Sequence, residues 1–189
     1  MKTQPKYQIL VRLAALPILF IIFVSLITVA SRAQNSAQER TLEDKIPTHI
    51  PIKIKLKNLE KEDWARELEV EIKNTGNKPI YFVQLSLILP ESKAADGTPS
   101  GFPLRYGRTE LIEIANHATP EDVPLMPGET YTLKLPERLV RGWELFQAKH
   151  NKPTPKRVVL IFNALNFGDG TGFVRTDGIA VPNLTQSRT

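Results

Sequence analysis

Phe102-Pro103-Leu104-Arg105-Tyr106, followed by Arg108, is the part of this sequence best equipped to hold a partner. Aromatic rings beside guanidinium groups suit contact with a protein surface or an acidic sugar polymer. The segment ends the stretch 91–107, ESKAADGTPSGFPLRYG, which reads as a loop because three glycines and two prolines punctuate it. Recognition residues tend to collect on such loops. Phe102, Arg105, Tyr106 and Arg108 are therefore the expected partner-binding residues. The competing expectation is that Phe102 and Leu104 fold back to plug the core.

A second candidate is Gly168-Asp169-Gly170-Thr171-Gly172 with Asp177-Gly178. Asp169 and Asp177 could meet across a hairpin mouth, with Asn163, Asn166 or backbone carbonyls as further oxygen donors. Calcium takes about six to eight oxygens, so two carboxylates make at best a weak calcium site. The glycines serve a tight turn equally well, since they tolerate positive φ. The run lacks the GxxxxGK[ST] pattern of a phosphate loop. No other cofactor is implied.

Catalytic patterns are scarce. His49, His117 and His150 are far apart, and no HExxH occurs. There is no G-x-S-x-G elbow. Glu110, Glu113, Glu121 and Asp122 could supply paired carboxylates, but a solvated acidic loop explains them as well. The chain has no cysteine, which excludes disulfides, thiolate catalysis and cysteine-held metals. An enzyme is not the expectation.

The elements that would position these residues are mostly strands. Ile50, Ile52, Ile54 and Leu56 alternate with Pro51, Lys53, Lys55 and Lys57, which predicts a strand with one wet face. Arg66–Lys73 alternates in the same way, with an acidic wet face suited to lie beside those lysines. Ile80–Leu89 predicts a central strand ended by Pro90. A short strand is expected at Glu110–Ala115, another at Thr130–Leu135, and a long buried one at Arg157–Phe167. Asp-Gly then turns the chain into a final strand, Phe173–Val181. Pro136–His150 is the one helical pattern, with Leu139, Trp143 and Phe146 on one face. It is expected to cross between two sheets, with Trp143 over an open end of the core.

ELEVEIKNTGNKPIYFVQLSLILPE, from Glu67 to Glu91, resembles the second and third strands of immunoglobulin-like modules in exported bacterial proteins. LMPGETYTLKLP looks like their Pro-Gly-Glu turn into a following strand. The resemblance covers roughly residues 66–135 and implies an adhesive or interaction role on an immunoglobulin-like fold. The paired core cysteines of that fold are missing, and Trp143 lies outside the strand that carries its core tryptophan.

Lys2, Lys6 and Arg12 precede an apolar run from Leu13 to Ala30, and Ser31-Arg32-Ala33 places small residues at a cleavage site. These are the parts of a secretory signal. The run also approaches the length of a membrane span. The positive-inside rule places the rest of the chain outside on either reading. Four of the 25 basic side chains lie in this segment, which leaves 21 against 20 acidic ones. The basic balance is therefore largely a leader effect and does not point to nucleic acid.

The expectation is an all-β chain: an immunoglobulin-like antiparallel β-sandwich of about seven strands with one short crossover helix. Residues 1–33 form a signal peptide or anchor, 34–46 a polar tether, 47–182 the sandwich and 183–189 a flexible tail. It is expected to be exported, periplasmic or on the cell surface. There it would act as a non-enzymatic envelope module that binds a protein or surface polymer. A structural domain near the membrane and a calcium-dependent adhesive module are the alternatives.

Overall fold

Strictly alternating residues set up the smaller of two sheets. The computed structural model describes residues 40–182, so the leader, residues 34–39 of the tether and the tail lie outside it. β2 (Ile52–Lys57) and β3 (Glu69–Asn74) pair antiparallel, and β3 pairs antiparallel with β6 (Thr130–Lys134). The register sets Lys55 opposite Glu71 and Lys57 opposite Glu69, so the lysine and acidic faces do lie side by side. Lys57 pairs with Glu71, and Lys134 reaches Glu69 at 3.2 Å. Such exposed cross-strand pairs contribute about 0.2–1 kcal/mol each. Their larger effect is to fix register, because a one-residue slip would turn Val70 and Ile72 to water.

The larger sheet is built on β4 (Phe82–Lys93) and β7 (Arg157–Asn166), which pair antiparallel with a bulge after Gln84. β5 (Pro99–Tyr106) flanks β4. β8 (Gly172–Val174) and β9 (Ile179–Val181) continue from the far end of β7. β1 (Thr41–Asp44) lies parallel to the first half of β7. Among the described residues there are thus nine strands, in sheets of six and three, rather than about seven. Val70, Ile72 and Leu133 of the smaller sheet belong to the same buried cluster as Val83, Leu85, Leu87, Leu104, Val158, Leu160 and Phe162 of the larger.

Four differences from expectation have physical causes. Thr41–Asp44, expected as part of the tether, form a strand, because the edge of β7 accepts them. Buried Arg40 donates to the carbonyls of Leu59 and Lys61. The expected loop 91–107 is largely strand: Phe102, Leu104 and Tyr106 alternate inward, and Pro99 and Pro103 are tolerated because β5 is an edge. Pro90 does not end β4, since pairing to β7 stops at Ile88 and no ladder bond is lost there. The strand expected at 110–115 is a 3-10 turn at Thr109–Ile112, whose Leu111 packs with Phe82 and Ala164.

The final strand is also divided, by a turn at 175–178. The expected helix is present as α2 (Glu137–Lys149), between β6 of the smaller sheet and β7 of the larger. Trp143 meets Phe102 and Trp64 edge-on, at 5.8 and 5.7 Å between ring centroids. Trp64, buried in the one-turn helix α1 (Trp64–Glu67), was not singled out by the sequence.

Phe162 is fully buried at the centre of β7. Phe162→Ala should cost about 3–5 kcal/mol in urea unfolding, the usual cost of deleting a core aromatic ring. A loss below about 1 kcal/mol would contradict this core.

Candidate functional site

The long excursion between β5 and β6, residues 107–129, frames an open cleft of about 580 Å³. Its walls include Tyr81, Arg105, Tyr106, Arg108, Val123 and Tyr131. The chain leaves β5 through Gly107 at φ +86°, where a Cβ would lie 1.9 Å from the Tyr81 carbonyl oxygen. Only glycine allows that approach. The return is fixed by Leu125, which exchanges both backbone hydrogen bonds with Ile80 at 2.7 and 3.0 Å. The fully buried Asn74 amide donates to the carbonyls of Leu125 (2.9 Å) and Lys78 (2.8 Å), and its oxygen accepts from Gly76 N–H (2.9 Å).

Three of the four expected partner-binding residues meet here. Tyr106 projects inward, its hydroxyl donating to the Val123 carbonyl at 2.7 Å and its ring 4.7 Å from that of Tyr131. Burial pushes the Tyr106 phenol above its usual pKa, with Tyr131 and Glu129 adding to the effect. Arg108 donates to both carboxylate oxygens of Asp122 at 3.0 Å. Asp122 also accepts from the Thr119 N–H at 2.8 Å. These bonds hold its carboxyl well below the usual range, the Arg108 fork first among them. Arg105 is exposed on the opposite face of β5, across from Gln84, and forms no ion pair among the described residues.

Phe102 does not join them. It is buried against Trp143 and Leu104 is buried with it, the arrangement of the competing expectation, and Tyr106 is likewise largely covered. A period-two apolar pattern drew these rings into the core despite the surrounding glycines and prolines. The exposed large hydrophobic groups of the cleft are Tyr131, 45% exposed, and Val123, 75% exposed. The sequence did not mark either as a site residue.

The expected calcium residues are occupied otherwise. Asp169 meets Lys78 at 2.8 Å and accepts from the Thr171 N–H at 3.0 Å; Lys78 chiefly lowers its pKa, to about 2. Asp177 lies on a different turn, with Arg175 at 4.0 Å. The side-chain oxygen of Asn163 accepts from the Ser86 hydroxyl and that of Asn166 from the Gly168 N–H. No group of three or more histidine or acidic side chains converges as a metal site among the described residues. The histidines are dispersed. His49 bonds to Gly178, His117 lies beside Gly170, and His150 packs on Phe146.

A carboxylate kept ionised by an arginine fork is a poor general acid at neutral pH. The cleft also presents the Tyr131 ring, and Arg105 and Glu121 in its lining form no ion pair among the described residues. Comparisons with protein-family models, with curated proteins and with solved structures gave no match for this chain.

Two outcomes follow from this geometry. Asn74→Ala leaves two carbonyls and an N–H without their partner and should destabilise the chain by about 2–4 kcal/mol in urea unfolding; a change below 1 kcal/mol would remove the amide from its structural role. The second concerns acid. An unfolded aspartate titrates near about 4. Asp122 lies lower in the folded chain, so its contribution is full above that pH and drains as pH falls through the folded value. Melting temperature should therefore fall more steeply below about pH 4 in the wild type than in Asp122→Asn, and parallel curves between pH 2 and 6 would refute the link.

Proposed function

We infer that this chain is a non-enzymatic envelope module that binds a partner protein or surface polymer through the cleft between β5 and β6. The observation that carries the reading is the cleft itself, with Tyr131 and Val123 exposed on its walls and Arg105 unpaired at its rim. Aromatic and arginine side chains are the groups that dominate recognition surfaces. The basic, apolar and small-residue segments of the first 33 residues support export, with the domain carried outside as a periplasmic or cell-surface module. One buried cluster drawn from both sheets supports an immunoglobulin-like sandwich. The arrangement of six and three strands with a parallel β1–β7 pair departs from its simple form.

A second reading, a structural domain near the membrane, draws on the burial of Phe102, Leu104 and Tyr106, which leaves the β4–β5 hairpin no aromatic surface of its own. The calcium-dependent adhesive reading has the least support, because Asp169 already faces Lys78.

A crosslinking pull-down from envelope extract of the source organism tests the first reading. The full chain is the bait, with Arg105→Glu/Tyr131→Ala as control, each with and without calcium. Recovery of a specific partner should drop roughly tenfold in the double variant, as for loss of a recognition hot spot, at an unchanged melting temperature. Equal recovery by both baits would remove the cleft as the binding site, and no specific recovery would favour the structural reading.

A further inference from the structure

β6 is an outer strand with an unusually open edge. It pairs with β3 alone among the described residues. The Asn74 N–H donates to the Glu129 carbonyl at 2.9 Å, one step beyond the register that pairs Lys73 with Thr130. Hydrogen-bonded pairs alternate along an antiparallel ladder. Tyr131 and Leu133 therefore spend their backbone groups on Ile72 and Val70. Thr130, Thr132 and Lys134 turn their N–H and C=O groups outward, and all three residues are exposed.

The other long edges are blunted. β2 follows Pro51 and carries Lys53, Lys55 and Lys57, so pairing β2 with a second β2 would set lysine against lysine. β5 contains Pro99 and Pro103, which lack an N–H. β6 reads Thr-Tyr-Thr-Leu-Lys, with no proline or glycine and with β-branched and aromatic residues that favour strands.

We propose that two copies of this chain pair antiparallel through β6 about a two-fold axis at Thr132, joining two three-stranded sheets into one of six. The edge is complementary to itself in that register. Thr130 falls opposite Lys134 of the second copy, and Thr132 opposite its own counterpart. These are the residues whose backbone groups point outward, so every outward N–H and C=O of the strand finds a partner. On the inward face Tyr131 falls opposite Leu133 of the second copy, which would cover the Tyr131 ring that is now 45% exposed. On the outward face threonine meets threonine, a favourable cross-strand pair, and no like charges stand opposite. Lys134 keeps Glu69 as its neighbour on the other side. The association is isologous, so it closes at two copies. It goes beyond the cleft reading, and because Tyr131 also lines the cleft, the paired form withdraws that ring from any partner the cleft would hold.

The natural chain has no cysteine, so single cysteines report the pairing cleanly in the full-length protein. Residues opposite each other in a hydrogen-bonded pair have Cα atoms about 5.5 Å apart, within disulfide reach. Two copies of residue 130 would be offset by four residues, about 13 Å, which is too far. On mild oxidation, Thr132→Cys should give a covalent dimer on non-reducing gels. Thr130→Cys co-expressed with Lys134→Cys should do the same. Thr130→Cys alone, Lys134→Cys alone and Lys55→Cys should yield at least tenfold less. Thr132→Pro removes only an outward N–H, so it should abolish the dimer in sedimentation analysis while keeping the wild-type circular dichroism.

Equal crosslinking by all variants marks random collision and overturns the proposal. So does no dimer from Thr132→Cys, or its crosslinking to a protein of different mass, which would mean that the edge takes another strand. Arg105→Glu alone lies on β5 and leaves β6 intact, so loss of partner recovery in that single variant and failure of the Thr132→Cys crosslink are separate outcomes.

Discussion

The buried amide of Asn74 is the constraint on which the rest of this structure most depends. It stands at the end of β3, in the smaller sheet, and its side chain donates to Leu125, which is paired in turn with Ile80 at the entry to β4 of the larger sheet. Its backbone N–H and carbonyl engage Glu129 and Gly128. One residue thus ties both sheets to the returning limb of the excursion, and so sets where β6 begins. Asn166 does the corresponding work at the end of β7, donating to the Leu111 carbonyl at 2.9 Å and accepting from the Gly168 N–H at 2.6 Å. A buried amide with all its bonds made specifies one geometry, because any shift leaves polar groups unpaired in a poorly solvating interior.

That device matters more here because the chain has no disulfide to fasten its loops. The apolar core supplies the cohesion, through fully buried Leu85, Leu87, Leu160 and Phe162 of the larger sheet set against Val70 and Ile72 of the smaller. At one end the rings of Trp64, Trp143 and Phe102 close the core, and the Arg40 guanidinium lies 5.3 Å from the Trp64 ring. Apolar burial is non-directional and would tolerate several placements of the loop between β5 and β6. The asparagine amides choose among them.

Local alternation made much of the fold legible. The lysine and glutamate faces of β2 and β3, the long apolar run of β7 and the face of α2 are patterns that a few consecutive residues define. What escaped was non-local. β5 was hidden because glycine and proline argue for a loop, and only pairing with β4 shows that Phe102, Leu104 and Tyr106 keep a strand's period. β1 was hidden because four polar-rich residues become a strand only where β7 offers an edge. The site divides in the same way. Arg105, Tyr106 and Arg108 line one cleft, while Phe102 packs in the core. Tyr131 reads as an inward strand residue, which it is; its exposure comes from lying on an outer strand, and no local pattern encodes that. Asp169 invited calcium until Lys78, 91 residues earlier, was found beside it.

The cleft's charge balance bears on what it can recognise. It holds carboxylates from Glu121, Asp122 and Glu129 against two arginines, Arg105 and Arg108, so the acidic groups outnumber the basic ones by one. The bonds say otherwise. Asp122 and Arg108 satisfy each other through a two-pronged fork, and the Glu129 carboxylate accepts the Met126 N–H at 2.8 Å. Groups committed in this way shape the wall and have little left to offer a ligand, since taking one would leave its partner unpaired. Arg105 and Glu121 form no ion pair among the described residues, and Tyr131 offers a ring whose other side packs on Tyr106. On the proposed reading the cleft would hold a partner chiefly through the Tyr131 ring, because Arg105 and Glu121, the two lining charges without an ion pair among the described residues, offset each other.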